Sequence, residues 1–99
     1  MNSFSMSDHA SRRLYQRAIR PADFLCFLAH ADWESRQRNG SSAIGLTNSG
    51  ASEALEAGID PDTIRRIRSL CAIVDGSNVV TEYRGRPRRR QTLRRGDRR

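Results

Sequence analysis

Three side chains near the start of the chain have the types and spacing for acid–base and phosphate chemistry. His9, Arg13 and Arg17 recur at intervals of four, which stacks them on one face of a helix. Imidazole exchanges a proton near neutrality, and guanidinium pairs with phosphate through two parallel hydrogen bonds. The combination suits cleavage of RNA by attack of a ribose 2′-hydroxyl on the adjacent phosphorus. That reaction needs a base, an acid for the leaving oxygen, and cations for the charge that develops. The same residues also describe an ordinary solvated helix face, with His9 helping to cap it and the arginines facing acids.

Two further groups suit binding. Thr81, Tyr83 and Arg84 close the last apolar segment; hydroxyls bond phosphate and tyrosine stacks on bases, although strands favour Thr and Tyr for their own reasons. Trp33, Arg36 and Arg38 interleave an aromatic with cations. That pattern is either a base-stacking platform or an edge strand whose arginines deter pairing. The candidate catalytic set is therefore His9, Arg13, Arg17 and Tyr83. The candidate nucleic-acid contacts are Trp33, Arg36, Arg38, Thr81 and Arg84, with Arg86, Arg88, Arg89 and Arg90 of the tail.

Charge is strongly segregated. Residues 84–99 hold nine arginines and one acid, a net +8, whereas residues 1–83 hold nine arginines against ten acids, a net −1. All eighteen basic residues are arginine. A chain with its cation concentrated in one arm is built to meet a polyanion, and RNA is the first partner to consider. A non-catalytic nucleic-acid-binding protein and a module that captures an acidic protein partner fit the same arm, as does a merely solvated tail.

Several classes are disfavoured. No apolar run approaches the roughly 18 residues of a membrane span; the longest, Phe24 to Ala29, is six. The polar start lacks the layout of a signal peptide, and a cytoplasmic location is expected. Cys26 and Cys71 sit in apolar segments and read as buried thiols of a reducing compartment. Two distant cysteines and two histidines do not make a zinc site. There is no phosphate-binding glycine loop, no nucleophile elbow and no carboxylate pair at metal-site spacing. No cofactor or metal is expected, and any chemistry would be metal-free.

The elements that would position these residues follow from local signals. Residues 1–6 read as a frayed leader. Ser7 or Asp8 caps a helix over Asp8–Ala18 with an apolar stripe of Ala10, Leu14 and Ala18. Pro21 opens a second helix that buries Phe24, Leu25, Leu28 and Ala31. Trp33–Arg38 and Ser42–Thr47 are strands joined at Asn39-Gly40. Ser49 caps a helix over residues 51–57, and Asp60-Pro61-Asp62 opens another. Leu70–Val74 and Val79–Arg84 form a final hairpin, the second strand placing Val79, Thr81 and Tyr83 on one face and Val80, Glu82 and Arg84 on the other. The expected fold is α+β, N-terminal helices on a small antiparallel sheet in the order ααββααββ. A single domain over 7–84 precedes an arginine-rich, disordered tail over 85–99.

The opening Ser7-Asp8-His9-Ala10-x-x-Arg13-x-x-Gln16-Arg17-x-Ile19, with the closing Val79-Val80-Thr81-x-Tyr83-Arg84 and the basic tail, resembles a family of small uncharacterised bacterial domains. Their signature is S-x-H-A-x-x-R-x-x-Q-R-G-I followed, after a variable middle, by a V-V-T-x-x-R strand. That family is distantly similar to the ribonuclease-toxin fold of RelE-like toxins, barnase-like enzymes and some colicin nuclease domains. The resemblance implies helices against an antiparallel sheet and a toxin-like, metal-independent endoribonuclease, with His9, Arg13, Arg17, Thr81 and Arg84 as the matching positions. Ala18 stands where the signature has glycine, and alanine there is expected to extend the first helix by a residue.

Overall fold

The computed structural model describes residues 4–37, 39–85 and the backbone of 93–94. Four helices and one mixed sheet follow in the order β1 (Ser5–Met6), α1 (Asp8–Gln16), α2 (Pro21–His30), β2 (Trp33–Arg36), β3 (Ser42–Gly45), α3 (Asn48–Glu56), α4 (Pro61–Ile67), β4 (Leu70–Asp75), β5 (Asn78–Arg84) and β6 (Leu93–Arg94). The strands lie in the order β1-β5-β4-β3-β2-β6.

The fold is α+β, but neither the order ααββααββ nor a purely antiparallel sheet describes it. Ser5 and Met6, expected to fray, pair in parallel with Asn78 and Val79. Leu93 and Arg94, from the arginine-rich stretch, pair antiparallel with Glu34 and Trp33. Two-residue strands carry no periodicity, so only their distant partners define them. Arg38, Arg86, Arg88, Arg89 and Arg90 lie outside the described residues.

Local chemistry sets most boundaries. Ser7 Oγ accepts the Ala10 N–H at 3.0 Å and starts α1. Asp60 Oδ2 accepts from the Asp62 and Thr63 N–H groups, with Pro61 in the first turn of α4. The cap of α3 is Thr47 rather than Ser49, so the helix begins three residues earlier than expected. Thr47 Oγ1 accepts from the Gly50 N–H and donates to Asp32 Oδ2 at 2.6 Å, while the Thr47 N–H donates to Asp32 Oδ1 at 2.7 Å. A side chain at Gly50 would sit 2.6 Å from that carboxylate, so glycine lets α3 close over it.

α1 ends at Gln16, not at Ala18. Arg17 is its C-cap, and Ala18 adopts φ +54°, the left-handed conformation that terminates helices and suits glycine far better than alanine. The turn then sends Ile19, in place of Ala18, into the core beside Leu14.

All four helices cover one face of the sheet. Ala10, Leu14, Phe24, Phe27, Ala54, Ile64 and Ile67 meet Ile44, Leu70, Ala72, Val74 and Val79 in one cluster. Phe24 and Phe27 stack at 5.7 Å between centroids. Leu25, expected in that face, is 64% exposed, because α2 turns Asp23, Phe24 and Phe27 inward instead. Asp23 is carried into the interior by a two-pronged ion pair with Arg66 of α4, at 2.7 and 3.2 Å.

Candidate functional site

Strand pairing sorts the candidate residues onto two sides of the sheet, since directly paired residues project from the same face. One row runs Trp33–Gly45–Cys71–Tyr83 and the next Ser35–Ala43–Ile73–Thr81. These rows occupy the face away from the helices. Ile44, Ala72 and Glu82 form the corresponding row beneath the helices.

A bulge decides the sides of β5. Val74 pairs with Val79 and Ile73 with Thr81, so Val80 is the extra residue. The bulge turns Val79 to the helix side with Glu82, and the strict alternation expected for this strand, with Val79 beside Thr81 and Tyr83, does not hold.

On the helix-free face, the Trp33 indole lies flat over Gly45, where any Cβ would come within 2.3 Å of the ring. Cys71 Sγ is 3.2 Å from the Tyr83 hydroxyl. Burial pushes the Cys71 thiol up, and burial together with that thiol pushes the Tyr83 phenol up to about 12, so both are protonated at neutral pH. Trp33, Thr81 and Tyr83 are each half-buried, and Arg94 of β6 pairs with Trp33. Two residues grouped with them in sequence face the other way. Arg36 pairs with Ser42, and Arg84 pairs with Leu70 and donates from Nη1 to the Arg66 carbonyl at 3.3 Å.

On the helix side, His9 and Arg13 meet as the four-residue spacing requires, Arg13 Nε donating to His9 Nε2 at 3.4 Å. The imidazole is exposed, as is Arg17; Arg13 is half-buried. Beneath this face lies a residue that sequence reasoning missed. Glu82 is fully buried, and neither carboxylate oxygen has a hydrogen-bond partner in good geometry. Burial pushes its carboxyl up to about 7, against the opposing pull of its own backbone N–H and of the Arg17 and Arg13 guanidiniums. The only signal in the sequence was an acid within a β-branched strand, which alternation alone sends outward. Arg13 and Arg17 thus lie near Glu82 at the α1–β5 contact, with His9 joined to Arg13, while Tyr83 lies across the sheet from Glu82.

Among the described residues no group of three or more His, Cys, Asp or Glu side chains is placed to hold a metal ion, and no helix is long and apolar enough to cross a membrane. Comparison with protein-family models, with curated proteins and with solved structures finds no match.

Proposed function

We propose that this protein binds single-stranded RNA on the helix-free face of its sheet, with the arginine-rich segment as an electrostatic arm. The observation that carries this reading is the juxtaposition of two aromatics with that segment. Trp33 and Tyr83 share one row across the sheet, and Arg94 pairs with the strand residue that bears the indole. Sheet faces bearing half-buried aromatics stack bases, and neighbouring arginines hold the backbone between them. Arg86, Arg88, Arg89 and Arg90 supply the salt-dependent part of the affinity through release of counterions from phosphate.

The chain has a single tryptophan, so its fluorescence reports on the site directly. Titration with a labelled single-stranded RNA is expected to quench Trp33 and to give an affinity that falls steeply with salt. Replacing Arg86, Arg88, Arg89 and Arg90 with glutamine should flatten that salt dependence. Binding that leaves the Trp33 emission untouched, and survives Trp33→Leu, sinks the sheet-face reading.

A second reading, a metal-independent endoribonuclease, is favoured by the His9–Arg13 contact and by the nearby carboxylate that titrates near neutrality. His9 serves there as the acid–base group and Arg13 and Arg17 as the phosphate clamp. Cleavage of labelled RNA in EDTA, abolished by His9→Ala with binding intact, supports this reading. Intact RNA under conditions of saturated binding removes it.

A further inference from the structure

The first two helices leave between them a groove of about 520 Å³ with mostly apolar walls. Met6, Leu14 and Phe24 form its floor, and Tyr15 and Leu25 stand on its rims. Tyr15 is 90% exposed and Leu25 is 64% exposed, so two large apolar side chains border one apolar depression with water on their outer sides. Isolated exposed leucines are common on proteins, but a contiguous apolar patch marks a place of contact.

The occupant is constrained by charge and by shape. Among the described residues, the one charged side chain lining the groove is Arg20. Arg13 and Arg17 face Glu82 on the other side of α1, so Arg20 is the cation that stands at this groove. A small molecule would need several convergent polar groups to orient it, and among the described residues the lining offers the Ser11 and Tyr15 hydroxyls and Arg20. A trough between two helices, apolar along its floor and cationic at its edge, fits the apolar stripe of a third helix.

We infer that the α1–α2 groove is a docking site for an amphipathic helix of a protein partner, with apolar anchors at i, i+3 or i+4 and i+7 seated between Tyr15 and Leu25 and carboxylates flanking the stripe. The flanking acids meet Arg20, which sets the direction of approach and disfavours basic helices. The groove belongs to the helical layer, so this inference does not depend on RNA binding at the opposite sheet face.

The test uses two panels of synthetic helical peptides carrying Leu, Phe or Trp anchors at those positions, one panel flanked by glutamate and the other by lysine. Binding is read by fluorescence anisotropy of the labelled peptide against the full chain. Members of the glutamate panel should bind and their lysine counterparts should not. Tyr15→Ser combined with Leu25→Ser should weaken binding about tenfold, the scale of losing exposed apolar anchors, and Arg20→Glu should shift preference toward the lysine panel. Both rim residues are exposed, so circular dichroism melts of the variants should match the parent.

Absence of binding from both panels overturns the inference, as does equal binding of the two. A wild-type dimer in sedimentation that Tyr15→Ser with Leu25→Ser dissolves makes a second copy of this chain the occupant and also overturns it. So does a loss of single-stranded RNA affinity in that double variant when no peptide binds, since the groove then belongs to the nucleic-acid surface.

Discussion

Asp23 and Glu82 are both carboxylates enclosed between helices and sheet, and their surroundings treat them in opposite ways. At the α2–α4 contact, Asp23 receives two hydrogen bonds from Arg66, and Arg66 is steadied in turn by Thr63 Oγ1 at 3.3 Å. The Arg66 hydrogen bond outweighs burial and holds Asp23 below the usual carboxylate range. At the α1–β5 contact, Glu82 has Arg13 and Arg17 nearby but bonded to neither, and burial dominates. The difference shows which contact serves packing and which stores a proton. A satisfied buried ion pair joins two helices and stays charged; an unsatisfied buried acid stays neutral until the solution is alkaline enough to ionise it.

The comparison is broken most severely from the Asp23 side. Arg66→Ala leaves a buried carboxylate without its donors, as Glu82 is now. Asp23 is buried but Arg66 is 37% exposed in its side chain, so the loss in urea unfolding at pH 7 is expected to exceed that of an ordinary surface pair and to fall short of that of a fully buried one. A loss below roughly 1 kcal/mol would place this pair with ordinary surface pairs.

Glu82→Gln sharpens the comparison from the other side, through pH. The unfolded chain releases the Glu82 proton near 4.5, and the folded protein releases it near 7. Between those values the folded state holds a proton that the unfolded state has lost. The stabilisation linked to Glu82 is therefore full below about pH 4.5 and is lost as the pH rises through about 7. Asp23 behaves inversely. Its folded value lies below 3.8, so its contribution is present above that pH and is lost on acidification. Glutamine at position 82 cannot ionise, so thermal melts between pH 5 and 8 should lose their downward slope. At pH 8 the variant should gain roughly 2 kcal/mol over the parent, allowing for the cost of burying the amide. An unchanged pH profile would show that Glu82 ionises without penalty.

Ala18→Gly gives the smallest effect and separates helix termination from ionisation. Glycine removes the steric cost of φ +54° just beyond α1 and should stabilise by about 1 kcal/mol. Because no proton is involved, the gain in melting temperature should be the same at pH 5 and pH 8. A gain that varied with pH would mean that the α1 terminus and Glu82 are coupled.

Much of this architecture is legible in the sequence wherever the signal is local. Ser7, Pro21, Asp60 and Pro61 start helices through bonds and ring geometry within a few residues, and the Asp75–Asn78 turn joins two apolar runs that pair as expected. The His9–Arg13 contact followed from spacing alone. What stayed hidden depends on distant partners. The β1 pairing joins residues 5–6 to residues 78–79, a separation that periodicity does not reach. The Val80 bulge reverses the side of Val79 and leaves Glu82 sharing its face, and nothing in the local composition marks the extra residue. Leu25 looked like core because an apolar hexapeptide does not say which of its faces is covered. Helix propensity favours alanine at position 18, but propensity does not report that the backbone there is left-handed.

The parallel clasp of β1 on β5 also bears on how the chain folds. β5 is the seam of the molecule. It takes β4 from just upstream on one edge and Ser5–Met6 on the other, with α1 lying across it. Pairings that close more than seventy residues of intervening chain are entropically late, so α1 has little to rest on until the last long strand arrives. Folding should consequently be slow for so small a protein. Releasing the N-terminal clasp would expose one edge of β5 and loosen the helix above it, while β4 still holds the strand from the other side.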